Sequence, residues 1–272
     1  MKNLFALAVL MAGLCALGIA QNRPLATESA ETVEKGALRF ELGSAYLHQV
    51  RYTTSGLEGN LFRLGDLGLH WGAGDTVEVQ LFWTAQNLLS ITRRWEGPLS
   101  ERIEFSGNST NDVGDLQVAT KIRFIEQNES RPGFGFRFGT ELPNASQESG
   151  LGADEINFHF TFLLEKDFAA WKLLGNLGLS ILGDPTNVAA QNDLYHYGIA
   201  ALYSVAPRLR ILGDFYGRVG QGGIGTEERS RLRIGSQIRA AGFYWDAGLL
   251  LGFQDTDPDF GIIFGLSKDF HL

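Results

Sequence analysis

In the stretch FHFTFLLEKDFAAWKLLGNLGLSI, residues 158–181, Phe158, Phe160, Phe162 and Leu164 alternate with His159 and Thr161. After the short connection Asp167-Phe168-Ala169-Ala170 the alternation resumes, with Trp171, Leu173, Leu177, Leu179 and Ile181 set against Lys172, Asn176 and Ser180. A period of two is the signature of a strand with one apolar face. The same pattern recurs on both sides of this stretch. Phe134, Phe136 and Phe138 flank Arg137, and Leu209, Ile211 and Phe215 alternate with Arg210, Asp214 and Arg218. From Ala37 onward twelve such segments are predicted, centred near residues 43, 66, 82, 118, 137, 160, 176, 199, 213, 234, 248 and 264.

The connections between segments alternate in length. Residues 72–75, 126–132, 167–170, 206–207 and 240–242 are short; residues 53–60, 93–112, 143–154, 183–192, 220–229 and 255–259 are long. Short turns on one side and long loops on the other are the habit of outer-membrane barrels, the short side being periplasmic. An even number of strands places both ends of the barrel on that side. The loop 93–112 could fold inward as a constriction or stand outside, and the sequence leaves both open.

Composition supports a folded β protein. The chain has 272 residues, 34 of them glycine and 7 proline, with 44% hydrophobic residues and a net charge of -8. This hydrophobic content excludes a mainly disordered chain. The acidic balance argues against a nucleic-acid partner, which requires a basic face. Residues 1–20 open with Lys2, continue as an apolar run from Leu4 to Leu14 and end in Gly18-Ile19-Ala20, the pattern of a cleaved signal peptide. The mature chain is expected to start at Gln21, and residues 21–36, polar and without a clear period, read as a flexible periplasmic lead-in. The only cysteine, Cys15, lies in the leader, so no thiol chemistry or disulfide is expected in the mature chain. After Ala20 no apolar stretch reaches the length of a spanning helix, so any crossing is by strands.

Alternation alone also fits a soluble barrel with its apolar face turned inward. Twelve strands about 4.8 Å apart, tilted by about 40°, give a backbone radius of roughly 12 Å, and an apolar interior of that width is hard to fill. The apolar face also carries Trp71, Trp171, Tyr195, Tyr203, Phe243 and Phe270 near segment ends, as the aromatic girdles of a membrane barrel do. The last segment, with Phe260, Ile262, Phe264, Leu266 and Phe270 at one parity, ends two residues before the C-terminus. Its Lys268 falls at lipid-facing parity near the interface, where a charge costs little. The fold class that follows is all-β, a transmembrane antiparallel up-and-down β-barrel of about 12 strands spanning residues 37–272, in the bacterial outer membrane and in contact with its lipid.

With the apolar parity outward, the lumen receives Arg39, Glu41, Asp66, His70, Glu78, Gln80, Lys121, Arg137, Glu141, His159, Glu165, Asp214, Asp246 and many glycines. Both charge signs are present, so the interior is expected to be polar and wet. Segments nine and ten add Arg208, Arg210, Arg218, Arg231, Arg233 and Arg239, the strongest charge cluster in the chain. Such a wall attracts anions as a solute passes, in the way charged rings set selectivity in pores. Alternatively the arginines pair with Asp214, Asp246, Glu78 or Glu41 and hold the lumen shut, a role that bidentate guanidinium suits. The candidate lumen and selectivity residues are these six arginines with Asp214, Arg137, Glu141 and His159.

Other chemistry has little support in the sequence. The five histidines fall on different segments without metal-ligand spacing, and neither a metal nor a cofactor is expected. The glycine-rich stretch 217–225 precedes no lysine-serine pair or helical pattern and reads as a loop rather than a phosphate cradle. Ser44 and His48 share outward parity, but four residues along a strand is roughly 13 Å, too far for a direct hydrogen bond.

Several strands resemble those of the family described as MetA-pathway of phenol degradation. The resemblance rests on Gly114-Asp115-Leu116 followed by Lys121, on Arg131-Pro132 leading through Phe134 to Phe138 and Glu141-Leu142-Pro143, on Ser149-Gly150-Leu151-Gly152 with Asp154-Glu155, and on Asn176-Leu177-Gly178 with Leu182-Gly183-Asp184-Pro185. It implies an outer-membrane β-barrel involved in uptake of small aromatic molecules, and it carries no catalytic residues onto this chain. The lumen charges favour a small organic acid over a neutral phenol. The expected function is thus a narrow passive pathway for small, anionic solutes, and not an enzyme. The alternatives are a closed structural or partner-binding barrel and, third, a membrane lipid enzyme. Oligomeric state and substrate identity are not legible in the sequence.

Overall fold

A computed structural model describes residues 23–187 and 190–271. The expected leader and the expected mature start at Gln21 lie outside the described residues. Thirteen strand segments are present among them: β1 (Ala37–Tyr52), β2 (Leu57–Gly72), β3 (Val77–Arg94), β4 (Ser109–Asp112), β5 (Leu116–Ile125), β6 (Gly133–Leu142), β7 (Asn157–Phe168), β8 (Trp171–Gly183), β9 (Gln191–Ala206), β10 (Leu209–Gly220), β11 (Arg229–Ala240), β12 (Phe243–Gly252) and β13 (Phe260–His271). Both β4 and β5 pair with β3, Ser109 opposite Ser90 and Gln117 opposite Phe82, so together they form one descending strand broken at residues 113–115. Twelve strands therefore span the wall, and each expected centre falls within one of them. Every pairing is antiparallel between neighbours, and β1 closes on β13 from Ala37 opposite His271 to His48 opposite Phe260. Among the described residues no helix is long and apolar enough to cross a membrane.

The alternation turns the greasy parity outward. Phe162, Leu177, Ile199, Leu249, Ile262 and Phe264 are exposed on the outer wall, while their chain neighbours are turned inward. An unbroken apolar belt around a closed ladder satisfies every backbone group internally, as lipid requires. Trp71, Trp171, Tyr203 and Phe270 sit at the ends of their strands nearest the short connections, and Trp171 packs on Tyr203 with ring centroids 4.7 Å apart. Lys268 lies over the rings of Phe243 and Phe270, its charge carried to the interface by its apolar stem.

The short side is built from tight turns. Ala241 and Gly242, with φ of 53° and 77°, form the two-residue link from β11 to β12, a backbone that matches the twist of a hairpin. On the long side, the connection after β1 is tighter than expected. The ladder between β1 and β2 runs up to Tyr52 opposite Leu57, which leaves only residues 53–56 as loop. Between β3 and β5 the chain folds inward: Trp95 N donates to Gly56 O (2.9 Å), Leu99 N donates to Thr54 O (2.9 Å), and Ile103 and Phe105 pack on a buried cluster. That cluster, with Leu47, Leu57, Leu61, Leu89, Leu250 and Ile263, makes the extracellular part of one wall apolar on the inside as well, where a polar interior was expected.

Residues 23–36, expected as a periplasmic lead-in, lie inside the barrel instead. From Gly36, whose N donates to Gly72 O at the periplasmic rim (2.8 Å), this strap runs back to Arg23 across the lumen, with Thr27, Ser29 and Ala30 almost wholly buried. It fits because inward positions along its track are glycine. A Cβ at Gly43 or Gly265 would run into the Arg23 guanidinium, and one at Gly198 would run into the Thr27 side chain. Leu25 packs into a small buried cluster with Leu174, Ala200, Leu202 and Leu212, while most other strap contacts are with polar wall groups, so the segment shows no hydrophobic period.

Candidate functional site in the barrel lumen

The inward side chains form two tiers. In the periplasmic tier, wall and strap are joined by ion pairs and hydrogen bonds. Lys121 Nζ lies 3.1 Å from Glu28 and 3.3 Å from Glu78, and Arg137 Nε lies 3.1 Å from Glu28. His70 bonds Glu78 (2.9 Å) and faces Glu41 at 3.7 Å; Lys172 holds Glu31 at 2.9 Å; Arg39 holds Asp269 at 2.6 Å; Arg23 reaches Asp246 at 3.4 Å. The strap backbone is bonded as well. Asp214 accepts from Ala26 N (2.7 Å) and Thr27 N (2.8 Å), Asn176 bonds both backbone groups of Glu28, and Glu78 accepts from Val33 N (2.7 Å). Burial alone would raise the Glu28 carboxyl, but the charges of Lys121 and Arg137 outweigh it and hold it below its ordinary value. Glu31, buried with one lysine beside Glu165 and Asp167, is pushed up.

Above the strap lie two adjoining cavities of about 360 and 370 Å³ that share Ala26, Glu28, Gln117, Arg137 and Arg231 in their walls. Both fall within the size range of small-ligand sites. The second is lined by Arg137, Arg218, Arg229 and Arg231, with Leu163 and Tyr216 as apolar surface. Arg218 and Arg229 are opposite each other in the β10–β11 ladder, and Arg231 faces Tyr216 one inward step below. Their hydrogen bonds are few: Arg218 Nε donates to Glu227 O (2.7 Å) and Arg231 Nε donates to Asp257 Oδ1 (2.6 Å). Arg229 makes no hydrogen bond or ion pair within the described residues, although it lies between two other guanidinium groups.

A chain of hydrogen-bonded polar groups lies beside the arginines in this chamber, with His196 opposite Arg218 in the β9–β10 ladder and Thr161 opposite Arg137 in the β6–β7 ladder. His159 Nδ1 bonds Ser180 Oγ (3.0 Å), Ser180 Oγ bonds His196 Nδ1 (2.9 Å), and His196 Nε2 bonds Thr161 Oγ1 (2.9 Å). Parity on β7, β8 and β9 delivers all four, since Phe160, Leu179 and Tyr195 beside them point to lipid.

Of the residues singled out from the sequence, Arg137, Arg218, Arg231 and His159 meet in this chamber. Arg233 borders the other cavity, donates to Pro24 O (2.9 Å) and lies over the Tyr216 ring. Asp214, on β10, is taken up by the strap amides of Ala26 and Thr27. Arg210 stands below the strap opposite Gln237; Arg208 and Arg239 are exposed at the periplasmic turns, Arg239 over Tyr244. Glu141 binds Asn157 (2.8 Å) and lines neither cavity. The expected pairing of the arginines with Asp214, Asp246, Glu78 and Glu41 is not formed: strap and wall groups occupy those acids, and of the six only Arg231 makes an ion pair among the described residues. Sequence reading missed Arg229, one step from Arg231 at the same parity, and the partners of His159, which were visible as inward residues but not as neighbours. His48 stacks on Phe260 (4.9 Å) and approaches Asp259, away from any serine partner. Among the described residues no group of three or more His, Cys, Asp and Glu side chains could hold a metal ion.

Among solved structures, the translocator domain of autotransporter NalP from Neisseria meningitidis is 11% identical, with a TM-score of 0.47 over 99% of this chain and 95% of that one. The Ralstonia pickettii toluene transporter TbuX is 10% identical, with a TM-score of 0.46 over 89% and 91%. The P. putida toluene transporter TodX is 10% identical, with a TM-score of 0.41 over 87% and 90%. No curated protein matches the chain. The family model for MetA-pathway of phenol degradation matches residues 21–269, nearly the whole barrel and its strap. This closed barrel with an apolar outer belt is an outer-membrane protein, and the chain belongs to the MetA-pathway of phenol degradation family.

Proposed function

We propose that the protein is a passive outer-membrane pathway for small organic acids, with the arginine chamber as its selective site. The observation that carries this reading is the set of four guanidinium groups around one cavity, with the Arg229 guanidinium lacking an acceptor among the described residues. Half-buried like charges of this kind gain most when an anion enters between them, and guanidinium takes a carboxylate through two parallel bonds. Leu163 and Tyr216 give the same chamber an apolar surface against which a ring or short chain can lie. A solute would enter under the extracellular loops, rest against the arginines and leave past the strap once the strap shifts.

The strap also favours a second reading, a closed barrel whose loops bind a partner, because it fills the periplasmic half of the lumen. Conductance separates the two. In a planar bilayer under a salt gradient the refolded chain is expected to show discrete openings with a reversal potential on the anion side. Replacing Arg218 and Arg229 by methionine should move that potential toward zero. Unchanged selectivity in the folded variant would sink the arginine role, and a silent barrel both with and without the strap would favour the closed reading.

A further inference from the structure

The hydrogen-bonded chain His159–Ser180–His196–Thr161 lies in the chamber between Arg137 and Arg218 and has one free imidazole nitrogen. His196 uses both ring nitrogens, on Ser180 and Thr161, whereas His159 uses only Nδ1 and leaves Nε2 without a partner among the described residues. Ser180 has one hydroxyl proton, so it donates to one imidazole and accepts from the other. If it donates to His196, that ring carries its proton on Nε2 toward Thr161, and His159, protonated on Nδ1, presents a bare Nε2 as an acceptor. If it donates to His159, the order reverses and His159 presents an Nε2–H donor. Both orders keep the two rings neutral and every internal bond satisfied.

Building on the organic-acid reading above, we infer that the chamber takes an organic acid carrying a hydroxyl group, the carboxylate held by Arg218 and Arg229 and the hydroxyl by His159 Nε2. A hydroxyl is at once donor and acceptor, so it complements the free end of the chain in either direction. A second carboxylate, which only accepts, meets one of the two orders, and a bare hydrocarbon end meets neither and leaves the imidazole nitrogen dry and unpaired. Tyr216 and Leu163 supply apolar surface in the chamber, and the cavity of about 370 Å³ suits a molecule with one ring. His159 is thus a specificity-determining residue, with Ser180 and His196 positioning it.

The test is calorimetric titration of the refolded, detergent-solubilised protein with benzoate, 3-hydroxybenzoate and 4-hydroxybenzoate. At least one hydroxy acid is expected to bind about fivefold tighter than benzoate, the effect of one net hydrogen bond. His159→Phe should remove that advantage, and His159→Gln should restore part of it. Ser180→Ala, which cuts the chain and leaves His159 in place, is the second variant should His159→Phe misfold by heat-modifiable gel mobility; it should also reduce the advantage. Equal affinities of the three acids in the unaltered protein, or an advantage that survives His159→Phe or Ser180→Ala, would overturn the inference. Benzoate binding that weakens about tenfold in Arg229→Met keeps the organic-acid reading standing in that case, whereas absence of any acid binding overturns both.

Discussion

The two tiers of the lumen use the same residue types to opposite ends. In the periplasmic tier Lys121 lies between Glu28 and Glu78, Lys172 against Glu31, and Arg39 against Asp269. In the extracellular tier Arg218, Arg229 and Arg231 face a cavity, and of the three only Arg231 forms an ion pair, with Asp257, among the described residues. Burying a charge is costly unless it is paired and bonded, so the matched tier is dry and fixes the strap, while the unmatched one stays open to solvent or ligand. A lumen full of charge is therefore neither a pore nor a plug by composition, and the balance at each height decides.

Removing residues 23–35 should break the contrast most completely. The periplasmic tier loses Glu28, Glu31 and the bonds to Asp214, and single-barrel conductance is expected to rise at least tenfold; no change would mean the strap does not close the path. Next, Lys121→Met should cost about 3 kcal/mol in denaturant unfolding, because it leaves Glu28 and Glu78 buried without their shared lysine. Its anion preference should not move. Arg229→Met should do the reverse, lowering anion preference with stability unchanged within about 0.5 kcal/mol, since the guanidinium has no partner to lose. Gly265→Val should displace Arg23 from one end of the strap and raise protease cleavage within residues 23–36, with little effect on the barrel itself.

The smallest effect concerns the extracellular loops. Asp112 accepts from Ser146 N (2.8 Å), Ser146 Oγ (3.0 Å) and Val113 N (2.8 Å), tying residues 143–156 to β4. Asp112→Ala should loosen this tie and speed protease cleavage within residues 143–156 roughly threefold at neutral pH, with the barrel itself intact by heat-modifiable gel mobility.

Much of the wall was legible along the chain. Phe158 to Leu164 and Trp171 to Ile181 alternate cleanly, and β7 and β8 form there with Phe160 opposite Leu179. Legibility fails where both parities are apolar. Leu250 and Ile263 stand at inward parity, where the sequence led to the expectation of a polar lumen, and pack into the buried cluster beneath the folded loop. The strap was missed for the converse reason: Thr27, Glu28 and Ser29 look like solvated chain, and only their wall partners show that they are buried. Within the site, parity correctly sent Arg218, Arg231 and His159 inward, but it could not say that Arg208 and Arg239 stand at the rim. Nor could it foresee that Asp214 would be taken by strap amides.

By itself, the sequence determined the strand count, the outward face and the set of side chains available to the lumen, because pleat and parity are local properties of the backbone. The tertiary structure decided which of those side chains meet. Ladder register sets the height of each inward residue, and β10 and β11 bring Arg218 opposite Arg229, while β8 places Ser180 between His159 and His196. The strap then removes most of the acids from the arginines' reach by bonding or pairing with Glu78, Glu165, Asp214 and Asp246. Neighbourhood across strands depends on closure of the whole sheet, and no local period encodes it.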